Sequence, residues 1–342
     1  MTTIWAAEQA ATSAWAPEAS LRPGVPTARP LLRVAAEHVG CRVQRAGSRG
    51  TIHSVFRQAC NIETAGGALV TLLIPGAGNL PHGIRCGSGS PSSFEALLRP
   101  GQAVLTSAHA IQVPDAALSI DLSGAHCWSG EIGKHRIDTR STQTRRRLAA
   151  VRSILKARAD DGFAPILLHG AAKSAPLRDA MAKRLAACLP RLAIASAAAD
   201  ADGMAQALQP LVGLGPGLTP SGDDFIVGYL AALWCQSAHN AEVGASLAAL
   251  APALQALTPR TNLISRQFLV NAVEGQFSER LVDVVCALAR PELDLSTRTA
   301  DALRTGHSSG ADFLVGLLFG LLPESVLSSS ADAHAEQTEA AQ

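Results

Sequence analysis

The chain has 342 residues, of which 47% are hydrophobic and 17% are charged, and its formal net charge is +1. This composition is typical of a globular protein with a large buried core, and the near-neutral charge gives no support for a nucleic-acid partner. The seven cysteines are dispersed, and none is spaced as C-x-x-C; the N-terminus lacks the features of an export signal. We therefore expect a cytoplasmic protein with reduced thiols and no zinc site.

The first part of the chain has the pattern of a flexible arm followed by short strands. Residues 1–28 are rich in Ala, Pro, Ser and Thr and predict a loosely ordered N-terminal arm. Residues 29–140 predict an antiparallel β-rich domain, either a compact sheet or a small barrel. The candidate strands are Ile52–Ile62, Ala68–Ile74, Ala103–Ser107, Ala117–Leu122 and His126–Ile132. The ETAGG segment between the first two of these predicts a hairpin.

Residues 141–324 have the periodicity of an all-helical domain, and residues 325–342 predict a disordered tail. One short apolar run in the helical part, Pro165–His169, reads as a strand. The predicted helices are a stripe from Leu148 to Leu155, then Leu177–Leu189, Asp202–Leu211, Phe225–Cys235, Val243–Leu257, Asn262–Gly275, Ser278–Arg290, Thr297–Arg304 and Phe313–Leu322. The predicted fold class is therefore α+β, with the β-rich domain first.

The most informative segment is GLGPGLTPSGD, from Gly213 to Asp223. Glycines such as Gly215 and Gly217 let a ligand approach main-chain amides closely. Thr219, Pro220, Ser221 and Gly222 then begin a helix whose first N–H groups are free to bind a ligand in the loop. Because no lysine follows the loop and no strand clearly precedes it, the segment indicates a site for a small anion or amide and not a nucleotide site.

The start of this helix recurs later in the chain as an internal pseudo-repeat. SGDDFIVGYL at Ser221–Leu230 is echoed by SGADFLVGLL at Ser309–Leu318. In each copy a serine and an aspartate three residues later, Asp224 and Asp312, predict a capping box. Both helices are apolar nearly all round but too short to span a membrane. Gly228 and Gly316 predict a close crossing, which would bring both helix starts to one pocket.

Four further groups of polar residues could carry chemistry, each beside a structural alternative. Asp223 and Asp224 could hold a divalent cation such as Mg²⁺ with substrate oxygens, or could have a structural role or bind the substrate by hydrogen bonds. Arg260 and Arg266 could clamp a carboxylate or phosphate, or could be ordinary surface arginines. His307 could donate to an oxyanion or act as an acid, or could be a loop histidine without a role. Asn61, on the same predicted strand as His53, could face a cleft between the domains, or a solvated sheet face.

The sequence resembles the AllH family, which is named for a subunit of oxamate carbamoyltransferase. The similar stretches are HSVFRQACNI at His53–Ile62, GLGPGLTPSGDDFIVGYLAAL at Gly213–Leu233, TPRTNLISRQFL at Thr258–Leu269 and GHSSGADFLVGLLFGL at Gly306–Leu321. The resemblance implies a part in allantoin and purine-nitrogen catabolism. It implies transfer of a carbamoyl group between oxalurate and phosphate, giving oxamate and carbamoyl phosphate. It also implies FdrA-like and AllG-like partner subunits.

The chemistry of these substrates suggests roles for the candidate residues. The loop from Gly215 to Ser221, with Arg260 or Arg266, would bind the anionic oxygens. Asp223 would accept from the substrate amide, and His307 or Ser308 would stabilise charge on the carbonyl oxygen. Two other functions stay open: a non-catalytic subunit that binds a small carboxylate or ureide, and an assembly subunit of a complex related to acyl-CoA synthetases.

Overall fold

The structure, a computed structural model, describes residues 30–44, 47–133, 135–169 and 176–327. The arm predicted at residues 1–28 lies outside the described residues, as does most of the tail predicted at residues 325–342. Residues 325–327 are described, and Val326 is fully buried, so the packed fold extends beyond residue 324. The described residues after Pro30 belong to one compact unit.

The N-terminal region is a closed β-barrel. Its described strands are β1 Leu32–Gly40, β2 Ser48–Val55, β3 Ala59–Thr64, β4 Leu69–Leu73, β5 Gly83–Cys86, β6 Ala103–Thr106, β7 Ala110–Val113, β8 Leu118–Asp121 and β9 His126–Trp128. They follow the order β5-β4-β3-β2-β6-β7-β8-β1-β9, and β1 also pairs with β5. This second pairing of β1 closes the sheet around a core of buried aliphatic side chains.

The barrel confirms the strand-rich first part and the ETAGG hairpin, with differences in detail. The stretch Ile52–Ile62 was expected to be one strand but forms β2 and β3, because a turn in which Phe56 N–H donates to Ala59 O reverses the chain. Asn61 and His53 therefore lie on neighbouring strands. Three pairings are parallel, β1 with β8, β1 with β9 and β4 with β5, which differs from a purely antiparallel sheet.

The C-terminal region is helical, as expected from its periodicity. Its described helices are α1 Thr142–Arg158, α2 Phe163–His169, α3 Pro176–Ala197, α4 Ala201–Leu208, α5 Ser221–Ser237, α6 Ala241–Leu257, α7 Leu263–Val273, α8 Glu279–Ala289, α9 Leu295–Ala302 and α10 Ser309–Leu321. None of the described helices is both long and apolar enough to cross a membrane.

The prediction of a strand at Pro165–His169 is wrong, because these residues belong to α2. A short, wholly buried apolar run has no periodicity that separates a strand from a helix. The tertiary structure decides in favour of the helix: the Asp312 carboxylate accepts the N–H of Phe163 at 2.6 Å and that of Ala164. These bonds satisfy first-turn amides that have no partner within α2.

The barrel and the helices are joined by polar side chains as well as by packing. Gln267 on α7 accepts from Leu69 N–H on β4, and the Gln276 carbonyl accepts from Gly130 N–H at 2.9 Å. Asn271 on α7 donates to Nδ1 of His82, which is 1% exposed. Since each bond crosses from one region to the other, these contacts set the position of α7 against the barrel.

His82 should make the stability of the protein depend on pH. Burial lowers the pKa of His82 from 6.5 to about 3, so the folded protein keeps this imidazole neutral while the unfolded chain protonates it. The stabilising contribution is present above the unfolded pKa and is lost as the pH falls towards the folded value. Between about pH 7 and about pH 5, the free energy of unfolding of the wild type should fall by about 2 kcal/mol more than that of a His82→Gln variant.

Urea unfolding of both proteins at each pH measures this difference. Other titrating groups contribute equally to the two proteins and cancel in the comparison. Parallel pH profiles for wild type and variant would contradict the prediction.

Candidate functional site

Helices α5 and α10 run side by side in the same direction through the helical core. A Cβ on Gly228 would overlap the carbonyl oxygen of Phe313, and a Cβ on Gly316 would overlap that of Phe225. Further along, Gly320 of α10 lies against Tyr229 of α5, so the contacts advance together along both helices. The predicted close crossing is therefore present, and both helices begin at the same end of the core.

The beginnings of the two helices are joined directly, and we call residues 219–224 and 308–312 the paired helix starts. Oγ1 of Thr219 and Oγ of Ser309 are 2.7 Å apart. The Ser309 side chain lies beside the carboxyl group of Asp224, and that of Ser221 lies beside Asp312. Each serine therefore contacts the aspartate of the other helix.

These contacts correct the expectation of two capping boxes. Pro220 and Ser308 are the N-caps, and neither makes a side-chain capping bond. The S-x-x-D spacing is the one that a capping box requires, but each box assumes a helix that starts alone. Because the two helices begin in contact, each serine lies beside the aspartate of the neighbouring helix. The spacing of residues within one helix does not predict that contact.

Asp223 is turned away from Asp224 and binds three protein donors. Its Oδ1 accepts from Gly213 N–H at 2.8 Å, and its Oδ2 accepts from the hydroxyls of Thr261 at 2.5 Å and Ser265 at 2.7 Å. The residue is 1% exposed, and burial raises the pKa of its carboxyl group. Asp223 thus ties Gly213, the first residue of the loop at residues 213–218 (the glycine loop), to α7.

Asp224 and Asp312 form a buried carboxyl pair between the helices. They are 7% and 0% exposed. Burial and the neighbouring Asp312 raise the pKa of Asp224 well above its usual range. Burial also raises the pKa of Asp312, to about 7. Within the described residues, Oδ2 of each group has no hydrogen-bond partner.

The glycine loop presents exposed backbone beside the paired helix starts. Gly213, Gly215 and Gly217 all have positive φ, which side chains disfavour. Residues 216–218 are exposed, and Leu218 is 48% exposed. No backbone acceptor among the described residues binds the N–H of Gly217 or of Leu218. Alternating backbone conformations of this kind can direct N–H groups at an anion.

Some of the amides expected to bind a ligand are instead used by the protein itself. Gly222 N–H donates to Leu214 O at 2.8 Å, and Gly310 N–H donates to Thr305 O at 3.0 Å. The N–H groups of Gly222 and Gly310 are therefore not available for a ligand.

Comparison with known families matches two parts of the chain. Residues 211–321, which include the glycine loop and the paired helix starts, match the family described as oxamate carbamoyltransferase subunit AllH. Residues 32–127, the barrel, match the AllH family N-terminal domain. The chain belongs to the AllH family. No solved structure matches it.

Arg260 and Arg266, predicted as a possible clamp for an anion, have different surroundings. Nη1 of the exposed Arg260 donates to Gln209 O at 3.4 Å, and the Arg260 carbonyl lies against Gly213. Arg266 is half-buried, and its Nε has no hydrogen-bond partner among the described residues. Arg260 therefore supports the loop through its backbone, whereas Arg266 keeps a donor unused.

His307, Ser308 and Asn61 are placed very differently from one another. The side chain of His307 is 87% exposed, with Nε2 3.4 Å from Asp161. Ser308 binds the carboxyl group of Asp312. Asn61 is buried in the barrel, where it accepts from Thr71 at 2.7 Å and donates to Ser54 at 3.0 Å. Of the three, Ser308 belongs to the paired helix starts of this AllH-family chain.

Three residues of the site were missed by sequence reasoning. Thr261 and Ser265 lie in the segment noted only for its arginines, and their hydroxyls hold Asp223. A signal was present, since Asn262 caps α7 by accepting from Ser265 N–H, which fixes Ser265 in the first turn. Gly162 lies so close to the Asp312 carboxylate that a Cβ there would overlap it, and no local pattern predicts such a contact.

Proposed function

We propose that the chain is the substrate-binding subunit of a carbamoyltransferase that acts on oxalurate and oxamate. The reaction converts oxalurate and phosphate into oxamate and carbamoyl phosphate in the cytoplasmic breakdown of allantoin and purine nitrogen. FdrA-like and AllG-like subunits complete the enzyme. One observation carries the proposal: the exposed glycine loop lies against the paired helix starts, within the segment that matches the AllH family.

The polarity of the loop suits the anionic part of these substrates. Oxalurate and carbamoyl phosphate both place negatively charged oxygens beside an amide. The N–H groups of Gly217 and Leu218 can donate to such oxygens, and helix N-termini favour negative charge. Arg266 has an unused guanidinium donor for a carboxylate or phosphate. We therefore assign the anion to the loop.

Asp223 and His307 are poorly placed for catalysis by this chain alone. The two oxygens of Asp223 are occupied by three protein donors, and His307 is exposed and lies beside Asp161. A general acid or base must reach the proton that it transfers. This arrangement favours a binding subunit whose catalytic groups are supplied by its partners. The role of Asp223 is then to position the loop and not to accept from the substrate amide.

A reconstitution experiment tests this function. The chain is mixed with purified FdrA-like and AllG-like subunits, and carbamoyl phosphate formed from oxalurate and phosphate is measured with and without it. Calorimetric titration of the lone chain with oxalurate, oxamate and carbamoyl phosphate is run in parallel. We expect binding by the lone chain and turnover only by the complete mixture. Turnover that does not need the chain would overturn the proposal, as would a lone chain that binds none of the three compounds.

A pair of variants locates the binding. Thr219→Val removes the hydroxyl that joins the end of the glycine loop to Ser309, so the loop amides should be less well positioned and oxalurate binding should weaken about tenfold. Ser153→Ala removes an exposed hydroxyl that bonds only to Ala149 O on α1, and it should bind like the wild type. Equal affinities for the two variants would place the ligand away from the paired helix starts.

A further inference from the structure

We propose that Asp224 and Asp312 together bind a divalent cation of the Mg²⁺ class. The sequence pointed to Asp223 and Asp224 for such an ion. The structure separates these neighbours and brings Asp224 to the aspartate of the pseudo-repeat, Asp312. The proposal does not rest on the proposed function, because a cation can bind here whatever reaction the complex performs.

Crossed contacts bring both carboxyl groups to the paired helix starts. Asp224 of α5 reaches Ser309 of α10, and Asp312 of α10 reaches Ser221 of α5. Thr219 adds a third hydroxyl, 2.7 Å from that of Ser309. The assembled donors are carboxylate and hydroxyl oxygens, the hard ligands that Mg²⁺ and Ca²⁺ prefer.

The unused carboxylate oxygens are a second observation that points to a ligand. Oδ2 of Asp224 and Oδ2 of Asp312 are both buried and have no hydrogen-bond partner among the described residues. A buried carboxylate oxygen without a partner is costly, and two such groups side by side repel each other. None of the ion pairs of the described residues involves either group. A cation between them satisfies both oxygens and removes the repulsion.

The charges around the site limit which cation can bind. The starts of α5 and α10 carry partial positive charge, and Asp312 also binds the first amides of α2. These groups disfavour a cation, so binding requires both aspartates to be ionised together. Mg²⁺ is commonly held by one or two carboxylates and keeps several waters or substrate oxygens. Loss of either carboxylate should therefore weaken binding strongly.

The experiment uses Mn²⁺ as the probe, on the full chain after treatment with a chelator that is then removed. Loss of the free-ion signal in electron paramagnetic resonance measures binding, and Mg²⁺ is added as competitor. We expect one Mn²⁺ per chain, displaced by Mg²⁺. Asp224→Asn and Asp312→Asn should each weaken binding by about 100-fold or more, beyond the usual effect of outer-shell changes.

Two control variants test the geometry. Asp223→Asn changes a buried neighbour whose oxygens bind protein donors, and Asp202→Asn changes an exposed first-turn aspartate of α4. Both should keep the ion, provided that circular dichroism shows folded protein. Binding lost in Asp223→Asn and kept in Asp312→Asn would overturn the proposal. Absence of Mn²⁺ binding by the wild-type chain would by itself overturn the proposal. A proton shared between the two carboxyl groups would then hold the pair together.

Oxalurate titrations with Mg²⁺ present and, separately, with chelator present separate this result from the proposed function. If the ion fails to bind while oxalurate binds, only the cation site is wrong. If the ion binds while oxalurate does not, the cation site stands and the proposed function falls.

Discussion

Gly228→Ala and Gly316→Ala should each lower the free energy of unfolding by about 3 kcal/mol or more, at the upper end of the effects of overpacking a core. At both positions the added methyl group would overlap a carbonyl oxygen of the facing helix, which cannot rotate away as a side chain can. The helices would have to separate, and both are buried along almost their entire length. Urea unfolding followed by circular dichroism measures the change.

Gly244→Ala is the matched control for these two variants. Gly244 lies in α6, where an added Cβ would meet only Cβ of Ser237, at an ordinary contact distance of 3.7 Å. Alanine is the better helix former, so this variant should gain about 0.5–1 kcal/mol. A loss of stability in all three variants, or in none, would show that the crossing of α5 and α10 is not the cause.

Asp223→Ala should be the most damaging change near the glycine loop, with a loss of about 3 kcal/mol or more. The substitution leaves Gly213 N–H and the hydroxyls of Thr261 and Ser265 without their acceptor in a buried site. Each unsatisfied buried group costs about 1–3 kcal/mol, reduced where a hydroxyl can turn to another acceptor. The loop should also become more accessible to protease, because its tie to α7 is lost.

A double-mutant cycle tests whether this effect passes through the named bonds. Thr261→Val should cost about 1–2 kcal/mol in the wild type and much less in the Asp223→Ala background. Additive losses would mean that the Thr261 hydroxyl and the Asp223 carboxylate stabilise the protein independently. In that case the positioning role assigned to Asp223 would be wrong.

The β-rich first part, most helices and the two central apolar helices could be read from residue order. Alternating and helical hydrophobic patterns are local, and they predict local structure well where segments are long. Even the close approach of α5 and α10 followed from Gly228 and Gly316, because a small residue at the same place in two buried helices indicates close contact. Short segments failed for the same physical reason: the seven residues of α2 contain too little periodicity, and their helix is stabilised by Asp312 from a distant part of the chain.

The direction in which each polar side chain points was decided only by the tertiary structure. Asp223 and Asp224 are adjacent in the chain, yet one faces Thr261 and Ser265 while the other faces Ser309. In place of the two predicted capping boxes, serines and aspartates contact each other between α5 and α10. Spacing within a single helix cannot reveal an acceptor on another helix. The sequence thus predicts which glycine and polar residues lie at the glycine loop. Which of those residues share a hydrogen bond, and which keep a free oxygen, depends on how two distant segments pack.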